Sequence, residues 1–464
     1  MHFTPSTGQF NYRSAIIRDG IRGMGAGLSI ALLSLTLALS GQVFAQDSSW
    51  GTSPELAATL RAMGPKHWGT LAPDFGDPLL GDVGGLRSTL ADHGLAYLLI
   101  VDVNFWQNLL NSPQKTNGSQ VYLGQQFTNG EGLTLQTTYD LGHIGLDGAQ
   151  LNLAIGTGWT SLTAAHAKGF RVFEFAFYDS FLDKRIELTA GIVENDKEFI
   201  NTYVGGNTST GAFGPQALLP VQSGFGQSPG ATPSFNVIYN FDANWYNKVG
   251  VQRSVSPQGL LEEYSHLNPH SVRFSVPGAK ALLIDEVGFK RPASADARAT
   301  NFRMGGLYNW SAYTDFDTGR TSHNSNAYLL YDQQLSQPNA GGLPFRGWYG
   351  GFTIMNSPSN VNVFRRYYET RIYDIGPFAN RPFDQLGIVA THSLFSEDAR
   401  NYFIRQGVYP PRKDTTSLTV DYAYKVGPDF YVTSGLAYTD HPSFIYSPQQ
   451  GHDLNFFTSI IAMF

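Results

Sequence analysis

Residues 453–464 read DLNFFTSIIAMF. Leu454, Phe456, Thr458, Ile460, Ala462 and Phe464 share one face of an extended chain, because successive side chains on a strand point to opposite sides. The same rhythm recurs upstream. In Gly132–Asp140, Leu133, Leu135, Thr137 and Tyr139 oppose Thr134, Gln136, Thr138 and Asp140. Leu151, Leu153 and Ile155 oppose Asn152, Ala154 and Gly156, and Phe173, Phe175 and Phe177 oppose Glu174, Ala176 and Tyr178. Ile186, Leu188, Ala190 and Ile192 oppose Arg185, Glu187, Thr189 and Gly191. Leu418, Val420, Tyr422, Tyr424 and Val426 oppose Ser417, Thr419, Asp421, Ala423 and Lys425.

Segments of about ten residues with one apolar and one small or polar face are the signature of a membrane-spanning barrel. A soluble sandwich alternates too, with its polar face turned to solvent. Here the polar face carries Thr, Gly, Ser and Ala rather than Lys and Glu, which suits a crowded, wet lumen. The expected fold is all-β, a transmembrane antiparallel β-barrel. At roughly 20–25 residues per strand with its connection, the chain beyond residue 99 holds about 14 to 18 strands, an even number. A closing strand that alternates and ends on Phe464 resembles the signal read by outer-membrane assembly machinery, and it is expected to close the barrel against the first strand and lie in lipid to its last residue.

Composition agrees. The 464 residues include 50 Gly, 24 Tyr and 32 Phe, only 15% are charged, and none is Cys. The last fact excludes a disulfide scaffold, thiolate metal sites and a cysteine nucleophile. Arg13, Arg18 and Arg22 precede an uncharged apolar run, Ala26 to Leu39, and Val43-Phe44-Ala45 follows with small residues at a cleavage site. This is the layout of a signal peptide over residues 1–45, and the run is shorter than the roughly 20 residues a spanning helix needs. Its removal takes away three Arg and one Asp, so the net charge moves from −6 to −8. An acidic product argues against nucleic acid as a partner. Beyond residue 45 no apolar stretch is long enough for a transmembrane helix, and only helices and closed barrels satisfy every backbone group in lipid.

Residues 46–95 read differently, as a short N-terminal helical segment. Leu56, Leu60 and Met63 have helical spacing before Gly64. A second short helix is expected over Asp82 to His93, with Gly94 as a left-handed cap. Both are expected to pack at the periplasmic end of the barrel or inside it, with the barrel proper over residues 96–464. Gly205–Thr232, rich in small residues, is expected to be a large extracellular loop that folds inward and narrows the pore.

Motifs for chemistry are weak. Gly226-Gln227-Ser228-Pro229-Gly230 matches G-x-S-x-G, but Pro229 has no N–H to donate to an oxyanion and no helix is expected after it. Pro269 separates His266 from His270, so the pair does not share a helix face. The acidic pairs Glu262/Glu263 and Asp285/Glu286 diverge if they lie on strands. What remains is a set of lumen-facing polar residues: Glu174, Arg185, Glu187, Arg303, Asn309 and Asp421. Of these, Glu174, Arg185, Arg303 and Asp421 are expected nearest the path of a permeant. Pore diameter and lining donors and acceptors then set selectivity.

Several stretches in order resemble one family. Leu80-Gly81-Asp82-Val83-Gly84-Gly85-Leu86-Arg87, with Leu90 and Gly94, is similar to the opening L-G-D-W-G-G-x-R…L…G of the OprB-type carbohydrate-selective porins, with Val83 in place of Trp. Phe173-Glu174 through Leu182-Asp183, then Leu188 to Gly191 and Phe199, resembles its early hairpin. Phe302 to Tyr308 resembles its Y-R-I-G-G-W-Y strand, Tyr328 to Gln333 its Y-L…D-Q strand, and Arg381 to Gly387 its R-P-x-D-x-x-G turn. Val426 to Pro442 fits the penultimate hairpin, although Gly435-Leu436-Ala437 lacks a Gln often found there. The resemblance covers about residues 78–464. It implies a 16-stranded monomeric barrel in the bacterial outer membrane that passes glucose and related sugars by passive, substrate-biased diffusion, not an enzyme. No cofactor is implied. The partners expected are small sugars, outer-membrane lipid and, during biogenesis, the assembly machinery. The alternative is a general or organic-acid porin on the same scaffold.

Overall fold

The structure is a computed structural model that describes residues 51–68, 73–110, 120, 122–162, 169–202, 219–228, 230–407, 412–440, 442 and 451–464. The expected signal peptide lies outside them, as does most of the expected loop Gly205–Thr232.

Sixteen antiparallel strands close into one barrel, each paired with its neighbours in sequence and the last with the first. They are β1 (Leu95–Asn108), β2 (Thr128–Asp140), β3 (Gln150–Thr160), β4 (Arg171–Phe181), β5 (Ile186–Val193), β6 (Thr232–Asn240), β7 (Trp245–Arg253) and β8 (Ala281–Arg291). The second half comprises β9 (Thr300–Thr314), β10 (Thr321–Gln334), β11 (Gly347–Asn356), β12 (Phe364–Ile375), β13 (Gln385–Phe395), β14 (Asp414–Gly427), β15 (Phe430–Thr439) and β16 (Asp453–Met463). Closure removes every sheet edge, as lipid demands.

The seam runs from Ile100↔Met463 to Asn108↔Asn455. It continues past the strand end, where Leu99 and Phe464 exchange both backbone hydrogen bonds, at 2.7 and 2.8 Å. The terminal strand thus closes against the first. Its last residue is not bare, however. Phe464 and Ala462 are buried beneath Leu79, Leu80, Leu99 and Phe430. The reason is a short stretch before the barrel that adds to the seam: the Leu79 N–H donates to the Met463 carbonyl at 2.8 Å.

Alternation places side chains as the period predicts. On β9, Met304, Tyr308 and Trp310 are exposed on the outer face, while Arg303, Leu307, Asn309, Ser311 and Tyr313 are buried on the inner one. On β2 and β3 the outer residues are Leu135 and Leu151, the inner ones Gln136, Thr138 and Asn152. Connections differ by end. Those at the end where β1 begins and β16 finishes include the tight turns Leu182–Arg185 and Pro428–Asp429; those at the other end include the long runs between β5 and β6 and between β7 and β8. Short turns mark the periplasmic side of such barrels and long loops the extracellular side.

Among the described residues, two helices precede β1. Helix α1 (Pro54–Met63) starts on a Ser53 cap, whose hydroxyl accepts from the Leu56 N–H at 3.2 Å, with Pro54 at the first helical position. Helix α2 (Leu86–Asp92) is preceded by a single tight turn over Val83–Gly85. Gly94 then follows at φ 81°, and a Cβ there would stand 2.5 Å from the His143 ring. Leu60 and Met63 of α1 pack with Phe75, Ala91, Ala96 and Leu98, and against Ile100 and Met463. Ala96, Leu98 and Ile100 share the face of β1 that looks inward. The helical segment therefore sits within the periplasmic end of the lumen.

The described parts of the β5–β6 connection also turn inward. Phe199, Ile200, Leu219 and Phe225 form one cluster with the inward residues Leu282, Ile284, Leu307, Tyr328, Leu330, Met355 and Tyr367 of β8 to β12. Burying a Leu or Phe contributes roughly 1.5–3 kcal/mol, so this packing holds the loop against the wall.

Candidate pore constriction

The inward loop is held by polar as well as apolar contacts. Arg303 on β9 donates from Nη1 to the Asn201 side-chain oxygen at 3.0 Å, and from Nη2 to the Asn201 carbonyl. Lys248 on β7 donates to the Glu198 carbonyl at 2.9 Å. Asn236 on β6 reaches Asn195 at 2.8 Å and Glu198 at 3.1 Å. At the returning limb, Asn309 donates to the Ser223 carbonyl at 2.8 Å and Gln252 to the Gly224 carbonyl at 3.2 Å. Gly224 is required there. Its φ is 91°, and a Cβ would stand 2.2 Å from Asn309 Nδ2 and 2.3 Å from Ser254 Oγ.

The N-terminal segment is fastened at a second point. His67 Nε2 lies 2.7 Å from Glu174 Oε1, with both side chains almost wholly buried. Trp68 Nε1 and Gln136 Nε2 donate to the other carboxylate oxygen at 3.2 and 3.3 Å. Gln150 on β3 accepts from the Lys66 N–H and donates to the carbonyls of Met63 and Gly64. The two insertions then meet. Lys197 of the inward loop stands 4.1 Å over the Trp68 ring and pairs with Glu194 at 3.0 Å.

Electrostatics follow from this crowding. Burial alone would lower the His67 pKa, but the charge and hydrogen bond of Glu174, with help from Glu198, outweigh it and raise the value. Burial, then Glu194, pushes Asp196 up to about 7, and burial also raises Glu198. Farther round the wall, Arg371 on β12 bridges Asp332, at 2.7 Å, and Glu369. A narrow cleft between the loop and this wall is lined by Asp196, Thr202, Gln227, Thr353, Tyr367 and Glu369, with Phe225 and Met355 as apolar sides.

The four residues expected nearest the path occupy different places. Glu174 is buried on β4 against His67, and Arg303 is buried on β9 against the loop. Asp421 is buried on the inner face of β14, and no hydrogen bond reaches it among the described residues. It lies directly across from Gly387 on β13 and Gly435 on β15, where a Cβ would come within 2.9 Å of it. Arg185 is not on a strand. It ends an exposed turn in which Leu182, Asp183 and Lys184 all take positive φ, and β5 begins only at Ile186. The alternation on the sequence runs one residue past the strand it describes. Of the other two lumen candidates, Glu187 accepts from Tyr178 at 2.7 Å and from Asn240 at 2.8 Å, and Asn309 holds the loop as above.

Sequence reasoning missed His67, Trp68, Lys248, Asn201 and the Arg371 cluster. Glu369 and Arg371, two apart, share a strand face, so that pair was readable by period; the others gain partners only through the folded-in segments. Ser228 of the G-x-S-x-G match sits in the inward loop after one helical turn, Leu219–Gln222, and before a strand, the reverse of a nucleophile elbow. His266 pairs with Glu262 and His270 with the Phe170 carbonyl, so the two rings serve different partners. Among the described residues no group of three His, Cys, Asp or Glu is placed to hold a metal.

The model of the family described as "Carbohydrate-selective porin, OprB family" matches residues 92–451. No curated protein sequence matches the chain. Among solved structures, the high-pH form of Pseudomonas putida OprB is similar at a TM-score of 0.68 and 17% identity, covering 84% of this chain and 98% of that one. The low-pH form of the same protein gives 0.53 and 14%, with the same coverage. At such identities the likeness is one of fold.

Proposed function

This chain belongs to the carbohydrate-selective porin family, OprB, and on that premise we propose how its lumen passes glucose and related sugars. Family and closed barrel make it an outer-membrane channel for carbohydrates rather than an enzyme. A barrel of about sixteen strands encloses an aqueous channel wide enough to need narrowing before it can discriminate among solutes. The inward loop and the N-terminal segment do the narrowing. Glu174 and Arg303 act beside the path by holding these two insertions. Asp421, buried on the inner face of β14 with no hydrogen-bond partner among the described residues, is the group we assign to the solute: its carboxylate would accept from a sugar hydroxyl, which exchanges water for it and releases again because a single hydrogen bond contributes little net. Arg185 meets the solute at the periplasmic mouth. Flux follows the concentration gradient with no cofactor or energy coupling. The outer face takes outer-membrane lipid, and the terminal strand is what assembly machinery reads after export by the signal peptide.

The observation that carries this reading is the meeting of the two insertions at Trp68 and Lys197 inside the lumen. The test is liposome swelling with sugars of increasing size, together with reversal potential and sugar block in planar bilayers. A sharp size limit near a monosaccharide or disaccharide, with current block by sugars, is expected. Anion preference without sugar block would replace the reading with that of an organic-acid porin.

A further inference from the structure

The outer surface carries a feature that sugar passage does not use. At the extracellular ends of β6, β7 and β8 a groove of about 340 Å³ opens on the lipid-facing side. The large apolar side chains that line it are Phe235 on β6, Val251 on β7 and Phe274 from the loop that joins β7 to β8. All three are exposed, Phe274 most of all at 73%. Lys280 lines the same groove. The exposed Arg273 adjoins Phe274 in the chain, and neither cation has an ion-pair partner among the described residues.

Exposed apolar side chains on the middle of a membrane barrel are covered by acyl chains of any lipid. This groove differs in two ways. It lies at the rim, where the hydrocarbon gives way to head groups, and it adds unpaired positive charge to an apolar floor. An unpaired cation at that depth attracts an anionic head group at about 1 kcal/mol per Lys or Arg. An aromatic at the same level suits the boundary between chain and head group. We propose that this groove is a docking site for one outer-leaflet lipid with a phosphorylated head group, its acyl chain along Phe235, Val251 and Phe274 and its phosphate at Lys280, with the exposed Arg273, next to Phe274 in the chain, adding positive charge to the surroundings. A second copy of this chain is the competing occupant. The two exposed cations argue against it, because a two-fold contact through this face would bring like charges together.

The experiment uses the full-length protein in detergent, titrated with diphosphoryl lipid A and followed by native mass spectrometry. The wild-type protein should hold one lipid, and Arg273→Glu/Lys280→Glu should bind it at least about tenfold more weakly. Phosphatidylethanolamine should bind both proteins alike, and inorganic phosphate should bind neither. Single-channel conductance and heat-dependent gel mobility of the variant should match wild type, since the groove is outside the lumen; if the double reversal does not fold, Lys280→Gln with the same titration replaces it. Equal lipid A affinity in wild type and variant overturns the proposal. So does retention of free phosphate alone, or a dimer that forms on delipidation and is lost with Phe274→Ser.

Discussion

Replacing His67 by Ala should release the N-terminal segment from the lumen. His67 and Glu174 approach to 2.7 Å with both side chains about 2% exposed. Removing one partner of a buried pair costs about 3–5 kcal/mol, because the remaining charge stays desolvated. Gln136 and Trp68 still donate to Glu174, and water can enter a released site, so the lower end applies. At about 1.4 kcal/mol per decade, the docking equilibrium moves by roughly a hundredfold. The pH dependence has a definite sign. Docking raises the His67 pKa above 6.5, so its contribution is complete below that value and is lost as pH rises through the higher docked value. Wild-type channels should therefore show more frequent high-conductance openings as pH rises above neutrality. His67→Ala should show them throughout, with a flatter pH profile. Limited trypsin digestion gives an independent readout, since Lys66 is half-buried when the segment is docked. Glu174→Gln should mimic the change, and the double variant should add little to either single one. If His67→Ala leaves conductance, its pH profile and cleavage at Lys66 as in wild type, the segment is not held by this pair and the reasoning fails.

Arg303→Ala removes both donors to Asn201, each worth about 1.5–3 kcal/mol to a charged group; conductance should rise and sugar block weaken, and unchanged block in planar bilayers would refute the holding role. Asp421→Asn keeps shape and loses no hydrogen bond, so the heat-denaturation midpoint on gels should hold while sugar block declines several-fold; a lowered midpoint with unchanged block would mean Asp421 is structural. Gly224→Ala meets a positive φ and a side-chain contact together, and should destabilise the barrel by about 1–3 kcal/mol, read as a lower midpoint in the same gel assay.

The wall of the barrel was legible because its physics is local. A strand with lipid on one side and a crowded lumen on the other must alternate, and Met304, Tyr308 and Trp310 opposite Arg303, Asn309 and Ser311 do so without help from distant residues. Turns were less so. Arg185 has the parity of Glu187 and Thr189, yet three consecutive left-handed residues end the ladder before it. The constriction was the least legible part. That a long irregular segment follows β5 was readable from its composition, but the fastenings of its described limbs, 195–202 and 219–228, were not. Glu174 meets His67 across more than a hundred residues, and Arg303 meets Asn201 at a similar separation. Neither pairing has a period or spacing to announce it, because each depends on where an irregular segment comes to rest.

The arrangement of the two insertions bears on where selectivity resides. A closed sheet couples diameter to strand number, so a barrel cannot be fitted to a sugar by small changes in its wall. Insertions decouple the two. The N-terminal segment occupies the inner face of β1 and reaches β2 to β4 through Gln136, Gln150 and Glu174. The loop occupies β6 to β12 through Asn236, Lys248, Arg303 and the apolar cluster. The strongest charges of the lumen are thereby spent on holding protein to protein: Glu174 on His67, Arg303 on Asn201, Arg371 on Asp332 and Glu369. A permeant needs the opposite, partners that are unsatisfied and weak. Asp421, set between two glycines on β13 and β15, is a lumen-side carboxylate bonded to neither insertion, which is why the solute is assigned to it. Discrimination among sugars should therefore respond to changes near Asp421 at constant pore size, and changes at Glu174 or Arg303 should alter pore size first and discrimination only as a consequence.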